Sequence, residues 1–215
     1  MTLRNCWVHV IDDDASWRTS VQRLLSAVGY RVALYESAEK FLATADLDTP
    51  GCILLDMRMP GLTGLQLQQR IVEMRHKLPI VFISGHGDIP TSVLAMKSGA
   101  ENFLTKPVDT GVLLRTIEQA ILRGCEDRDQ REHLDTLRLR VASLTPTERK
   151  VFAMVVRGNL NKRIAVELGT AERTIKWHRQ HIMQKLKVDS VAEAVSLAEK
   201  LNLIADQDPS QPGSQ

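Results

Sequence analysis

Polar side chains suited to chemistry follow four short apolar runs in the first half of the sequence. They are Asp12, Asp13 and Asp14 after residues 7–11, Asp56 after 52–55, Ser84 at the end of 80–84, and Lys106 after 102–104. Clustered carboxylates repel one another unless a cation joins them, and their hard oxygens suit Mg²⁺. A carboxylate beside Mg²⁺ can attack phosphorus, while the metal and a lysine neutralise the phosphoryl oxygens. These residue types therefore indicate phosphoryl transfer.

The same chemistry suggests a role for each residue. Asp56 is the candidate acceptor, Asp12 and Asp13 are candidate metal ligands, Lys106 supplies the counter-charge, and Ser84 senses the phosphoryl group. Any single Asp after a strand is more often a helix cap than a ligand. The placement of all these residues at strand ends favours the functional interpretation, because ligands of open α/β sheets bind at the carboxyl ends of the strands.

These side chains converge only if the runs are neighbouring strands of a parallel sheet. Runs such as 52–55 and 80–83 are apolar without alternation, which is typical of strands buried on both faces. Strands at 7–11, 31–34, 52–55, 80–84 and 102–104 alternate with helices near 16–28, 37–45, 64–75, 90–98 and 109–122. Five β/α repeats predict a doubly wound α/β domain.

The second half of the sequence reads as helical throughout. Leu134, Leu137, Val141 and Leu144 form an apolar stripe, which predicts a helical linker. We expect this linker to continue from the last helix of the first domain and either to pack on a domain or to contact a second chain. Further helices are predicted near 146–157, 161–168, 171–186 and 191–201. The predicted boundaries are a domain at 1–122, the linker at 123–143, a second domain at 144–205 and a disordered tail at 206–215.

The second domain carries the pattern of a helix-turn-helix. Thr145, Pro146 and Glu148 predict a capped helix start, and Gly169 separates a short helix from a basic one. Such a pair of helices is typical of proteins that read the major groove of DNA. A solvated helical bundle is the alternative interpretation.

Charge and cysteine content narrow the class of protein. Residues 1–123 hold 13 basic and 13 acidic side chains, whereas residues 145–205 hold 11 basic and 6 acidic ones, which suggests a polyanionic partner for the second domain. Three cysteines without metal-like spacing indicate reduced thiols and a cytoplasmic location. With neither a secretory signal nor an apolar run near the ~20 residues of a membrane span, we expect no membrane partner.

The first domain resembles the receivers of two-component response regulators, specifically the FixJ branch. The resemblance covers residues 5–122 and rests on four segments, Val-Ile-Asp-Asp-Asp, Leu-Leu-Asp-Met-Arg-Met-Pro-Gly, Ile-Ser-Gly-His-Gly-Asp-Ile and Met-Lys-Ser-Gly-Ala-Glu-Asn-Phe-Leu-Thr-Lys-Pro. It implies a flavodoxin-like sheet of order 2-1-3-4-5 and phosphorylation of Asp56 by a sensor histidine kinase. It also implies Mg²⁺ held by Asp13, Asp56 and the carbonyl of Arg58, with Asp12 acting partly through water.

The resemblance further implies a switch in which Ser84 turns toward the phosphoryl group and Phe103 moves inward. A Phe in place of the usual Tyr leaves burial alone to drive that movement. The alternative interpretation, to which we give equal weight, is that Phe103 is an ordinary core residue. The resemblance indicates a loop-positioning or structural role for His86, to which we assign no function.

Residues 143–201 resemble the LuxR/FixJ effector domain, through Leu-Thr-Pro-Thr-Glu-Arg, Gly-Asn-Leu-Asn-Lys-Arg-Ile-Ala and Arg-Thr-Ile-Lys-Trp-His-Arg-Gln-His-Ile-Met-Gln-Lys-Leu. By this resemblance Lys176, Trp177 and Gln180 fall where bases are contacted, and Lys162, Arg173, Thr174 and Arg179 are candidate phosphate anchors. Trp177 stands where smaller residues are usual, so it either touches a thymine methyl or packs at a dimer edge. His178 is expected to be structural.

Together these features predict a transcription regulator, not an enzyme, that dimerises on phosphorylation, binds double-stranded DNA and engages RNA polymerase. A phosphate-sink receiver whose helical domain no longer reads DNA is one alternative. An aspartate-based phosphatase is another, but it needs a second Asp two residues after the nucleophile, and Arg58 stands there.

Overall fold

The computed structural model describes residues 6–74, 76–85 and 89–204, without the side chains of 89–91. The chain divides between Arg128 and Asp129 into two compact units. His86 and the tail predicted to be disordered at 206–215 lie outside the described residues.

The first unit is built on a five-stranded parallel sheet. Its strands are β1 (Trp7–Ile11), β2 (Arg31–Tyr35), β3 (Gly51–Asp56), β4 (Ile80–Ser84) and β5 (Asn102–Thr105). They lie in the order β2-β1-β3-β4-β5, which confirms the predicted order. Every residue of the central strand β3 is buried, as its unbroken apolar run predicts.

Helices cover both faces of this sheet. They are α1 (Ala15–Ala27), α2 (Ala38–Thr44), α3 (Gly64–Glu73), α4 (Ile89–Lys97) and the first part of α5 (Thr110–Ala142). On one face, Leu54 packs with residues of α1 and α5 such as Leu25 and Ile121. On the other face, Leu55 packs with Phe41 and other residues of α2, α3 and α4. Each such buried side chain stabilises the fold by about 1.5–3 kcal/mol.

Helix α5 continues from the last helix of the first domain into the linker, as predicted. It runs for 33 residues and includes most of the predicted linker. Of the apolar stripe, Leu137 and Leu144 are buried in the core of the second unit, and Val141 packs against that core. These residues of the stripe therefore pack within the second unit of the same chain.

The second unit is all helical. It contains the end of α5 and helices α6 (Pro146–Val156), α7 (Asn161–Glu167), α8 (Glu172–Leu186) and α9 (Val191–Lys200). Gly169, at a φ of +61°, turns the chain between α7 and α8, which form the predicted helix-turn-helix. Every helix in the described part of the chain is too short or too polar to cross a membrane.

A buried glutamate ties the start of α6 to the end of α8. Glu148 is 4% exposed, and its Oε2 accepts hydrogen bonds from the Thr145 amide at 2.8 Å and from Lys185 Nζ at 2.6 Å. The Thr145 hydroxyl accepts in return from the Glu148 amide, which completes the predicted capping box. The hydrogen bond from Lys185 lowers the pKa of Glu148 to about 2.

Replacement of Glu148 by Gln should destabilise the second unit by about 1–3 kcal/mol, because Lys185 loses its carboxylate partner. Urea unfolding of the full chain at neutral pH, followed by far-UV circular dichroism, measures this. Glu199→Gln, a neutralised exposed glutamate on α9, is the matched control. Equal unfolding midpoints for the two variants would contradict the assignment.

His9 on β1 is a buried histidine held in its neutral form. It is 3% exposed, its Nδ1 lies 3.2 Å from the Tyr35 hydroxyl, and its ring packs on Tyr35 and Phe41. Burial lowers its pKa to about 4, although the charge of Asp46 acts in the opposite direction.

In the unfolded chain His9 takes up a proton near its ordinary pKa, whereas in the folded chain it stays neutral down to about pH 4. This contribution to stability is therefore complete above about pH 6.5 and falls by up to about 3 kcal/mol as the pH drops toward 4. His9→Phe should flatten the dependence of the unfolding free energy on pH across that window. His133→Phe, at an exposed histidine, should leave the wild-type slope; a wild-type slope in His9→Phe would refute this account.

Candidate functional site

One ammonium group joins two buried carboxylates at the carboxyl edge of the sheet. Lys106 Nζ lies 2.6 Å from Asp12 Oδ2 and 3.2 Å from Asp56 Oδ1. Asp12 is 0% exposed and Asp56 is 6% exposed. The structure thus brings together three of the residues that the sequence places at separate strand ends.

Backbone amides hold the remaining oxygen of each carboxylate. Asp56, the last residue of β3, accepts from the Arg58 amide at 2.9 Å through Oδ2. Asp12 accepts from the Asp14 amide at 2.8 Å through Oδ1, and the guanidinium of Arg18 donates to its carbonyl oxygen. Both side chains are therefore fixed in orientation, with one oxygen turned to the shared ammonium.

Burial and charge act against each other in this cluster. Burial raises the pKa of Asp56, and the nearby charge of Asp12 raises it further, against the opposing effect of Lys106. Burial alone would lower the pKa of Lys106, but its hydrogen bond to Asp12 and the charges of both carboxylates raise it above the usual value. The site concentrates negative charge around one cation.

The other carboxylates after β1 have different positions. Asp14 caps α1, because its Oδ1 accepts from the amides of Ser16 and Trp17. Asp13 is exposed. Across the described residues, no three His, Cys, Asp or Glu side chains lie together in a group able to hold one metal ion. Mg²⁺ commonly binds one or two carboxylates and keeps several waters, so the neighbouring carboxylates of Asp12 and Asp56 fit this ion.

Ser84 and Phe103 lie on the neighbouring strands β4 and β5. Ser84 is 2% exposed at the end of β4, and its carbonyl accepts from the Lys106 amide at 2.8 Å. Phe103 is half-buried and packs against the apolar cluster that includes Phe82 and Ala95. This placement suits a switch residue and a core residue equally, so both interpretations stay open.

Sequence reasoning missed two residues that shape the site. The ring centroid of Trp17 on α1 lies 4.4 Å from Lys106 Nζ, a cation–π distance. At Gly64, a Cβ atom would lie 2.4 Å from the Asp56 carbonyl oxygen and 3.0 Å from Phe82. The helix-start position of Gly64, directly after the cap residue Thr63, was the available signal.

The candidate DNA-reading surface lies on α8. Ile175, Ile182 and Leu186 face the core of the second unit. The predicted contact residues Lys162, Arg173, Lys176, Trp177 and Gln180 are exposed, and Thr174 is half-buried. The sequence pattern therefore separates a core face from a basic face, as predicted.

Two residues of α8, Arg179 and His178, are partly buried within the second unit. The guanidinium of Arg179 donates to Asn161 Oδ1 on α7 at 2.8 Å, so this predicted phosphate anchor also joins the two helices. His178 is half-buried, and its Nδ1 has no hydrogen-bond partner among the described residues.

Family matches cover both units. Residues 8–118 match the response regulator receiver domain, and residues 142–198 match the bacterial regulatory proteins of the luxR family. TodT, a response regulator of Pseudomonas putida F1, is 38% identical over 94% of this chain and 88% of its own. The chain is a FixJ/NarL-type two-component response regulator. Proteins of this family regulate transcription through a receiver and a LuxR-type DNA-binding domain.

Other relatives agree with this assignment. The transcriptional regulatory protein FixJ of Bradyrhizobium diazoefficiens USDA 110 is 38% identical over 93% of this response regulator and 97% of its own length. Among solved structures, the response regulator StyR is 45% identical, with a TM-score of 0.84 over 91% of this chain and 99% of its own.

Gly64→Ala in this response regulator should be destabilising by about 1–3 kcal/mol, because the methyl group overlaps the Asp56 carbonyl. Gly111→Ala is the matched control in the first turn of another helix, where the added methyl meets only the ends of the Asp109 and Arg115 side chains. Thermal unfolding of both variants measures the difference. A Gly64→Ala protein as stable as Gly111→Ala would show that the contact relaxes freely.

Proposed function

We propose that Asp56 accepts a phosphoryl group from a sensor histidine kinase and that this modification controls DNA binding. The observation that carries the proposal is the pair of buried carboxylates, Asp12 and Asp56, sharing the ammonium of Lys106. A phosphoryl acceptor needs a fixed carboxylate beside a fixed cation, and this cluster supplies both.

In the proposed reaction, a carboxylate oxygen of Asp56 attacks the phosphorus of a phosphohistidine in the kinase. The new O–P bond of an acyl phosphate forms as the N–P bond breaks, and the imidazole nitrogen leaves. Lys106 neutralises part of the phosphoryl charge, and the Arg58 amide keeps the Asp56 side chain in place.

Receiver domains generally bind Mg²⁺ at this position. We propose Asp12, Asp13, Asp56 and the carbonyl of Arg58 as the groups that would hold it here. The ion would supply positive charge to the transferring phosphoryl oxygens. Asp13 is suited to this because it is exposed at the rim, beside the buried Asp12.

The proposed switch runs from Asp56 to the α4–β5–α5 face. Ser84 turns toward the phosphoryl group, and Phe103 moves inward. Helix α4 exposes Val93, Leu94 and Met96 by 46–53%, so apolar surface is available there for contact between two copies. Dimerisation of two receivers then presents two reading helices to one DNA site.

The proposed DNA contacts divide into base-reading and phosphate-binding residues. Lys176, Trp177 and Gln180 read bases, and Lys162, Arg173, Thr174 and Arg179 bind phosphates. The exposure of Arg173, Lys176 and Gln180 supports contact of α8 with DNA. We place this activity in the cytoplasm, where DNA and kinase are both accessible.

RNA polymerase is the proposed protein partner of the DNA-bound form. Leu160, directly before α7, and Val166, within α7, are 77% and 78% exposed. Such exposure is unusual for large apolar side chains. We propose that they form the contact surface for the polymerase.

A matched pair of variants tests the proposal. With acetyl phosphate and Mg²⁺, the wild-type chain and Asp48→Asn, altered at an exposed carboxylate, should gain one phosphoryl group by intact-mass spectrometry. They should also form dimers and bind DNA selected from a random pool, with affinity that falls steeply as salt rises. Asp56→Asn should show none of the phosphorylation-dependent gains.

The alternatives predict different results. An Asp56→Asn protein that still responds to acetyl phosphate would defeat the gating mechanism. Phosphorylation without retention of any DNA would favour the phosphate-sink interpretation. Repeated turnover of small phosphoesters would favour a phosphatase.

A further inference from the structure

Trp177 projects from the reading face of α8, away from the core. It is 53% exposed, although Trp is among the side chains with most to gain from burial. At 100° per residue, it lies on the same side of the helix as Arg173 and Gln180 and opposite Ile175 and Ile182. The structure describes α8 in full, and Trp177 is the only exposed large apolar side chain of this helix.

A neighbouring histidine holds this indole in place. The ring centroids of His181 and Trp177 are 3.8 Å apart with planes inclined by 34°. His181 Nδ1 lies 2.9 Å from the Trp177 carbonyl oxygen, which only accepts, so Nδ1 carries the proton and the imidazole is anchored to the helix. The half-buried His181 thereby becomes a fixed support for an exposed ring.

An apolar plane among basic and amide side chains has one apolar target in the major groove. Of the base-pair edges exposed there, thymine contributes a C5-methyl group, while the other groups are hydrogen-bond donors and acceptors. An indole offers a broad apolar surface to such a methyl and no acceptor to compete for polar edges.

We propose that Trp177, positioned by His181, selects a thymine by contact with its methyl group. This inference rests on the proposed DNA-binding function and adds the base that one side chain reads. His181 is a positioning residue, because it acts through the indole.

Burial of Trp177 between two copies of the chain is the competing role. The basic side chains of Arg173 and Lys176 share its face. Even with the Glu172 carboxylate 4.0 Å from Lys176 Nζ, apposing two such faces would bring an excess of positive charge together, which is unfavourable without intervening anions. DNA supplies those anions, so the surroundings of Trp177 favour the groove.

The test compares thymine with deoxyuridine, which differs from it by the methyl group alone. Duplexes are selected from a random pool with the phosphorylated full-length chain, and each consensus thymine is then replaced by deoxyuridine. Wild-type affinity should fall about fourfold per substituted half-site, the factor that corresponds to ~0.8 kcal/mol for one buried CH₂-sized group.

Variants assign that discrimination to the two rings. Trp177→Ala should bind thymine and deoxyuridine duplexes equally, and Trp177→Phe should keep part of the preference. His181→Ala should reduce the preference, and His181→Phe, which retains an aromatic plane, should restore it. Lys176→Ala is the matched control on the same face, and it should weaken binding to both duplexes by the same factor. Far-UV circular dichroism verifies that each variant is folded.

The outcomes separate this inference from the proposed function. Salt-dependent binding of selected DNA with equal affinity for thymine and deoxyuridine would overturn the role of Trp177 and leave the DNA-binding proposal intact. A thymine preference that survives in Trp177→Ala would do the same. Failure to select any sequence would overturn both.

Discussion

The shared ammonium of Lys106 is the constraint on which the receiver unit depends. A buried carboxylate without a partner is strongly unfavourable, and this unit buries two of them close together. Asp12, Asp56 and Lys106 lie at the ends of three different strands, so their contact requires β1, β3 and β5 to end at the same edge. The hydrogen bond between the Lys106 amide and the Ser84 carbonyl fixes the lysine at that edge. The sheet order and the charge cluster are therefore mutually dependent.

The proposed phosphorylation is supported by the charges and the burial of this cluster. One cation already serves two carboxylates, and burial raises the pKa of Asp56. A phosphoryl group on Asp56 would add negative charge beside an ammonium that already has two carboxylate partners, and Mg²⁺ would supply further positive charge there. Lys106 touches Asp56 through its side chain and Ser84 through its backbone. In the proposed switch, a change in charge at Asp56 would act through Lys106 on the end of β5, the strand that carries Phe103.

The sequence predicted the elements and the strand-end residues well, because apolar periodicity and turn residues are local signals. It predicted Asp56 at the end of its strand and the capping box of Thr145 and Glu148, and the structure confirms both placements. It did not reveal the Glu148–Lys185 pair or the approach of Trp17 to Lys106, since these contacts join residues distant in the chain. It placed three aspartates after β1 in one group, whereas the structure buries Asp12, exposes Asp13 and uses Asp14 as a cap.

In the second unit, side chains of α8 hold this helix against its neighbours, and one of them, Arg179, is also a proposed phosphate contact. Lys185 joins α8 to α6 through Glu148, and Arg179 joins α8 to α7 through Asn161. These contacts fix the helix before any ligand arrives, so ordering it costs little on binding. Trp177 is in contact with the ring of His181, which restricts the positions open to the indole. A side chain that is already restricted loses less entropy when it touches a base, and even a single methyl group can then contribute measurably to specificity.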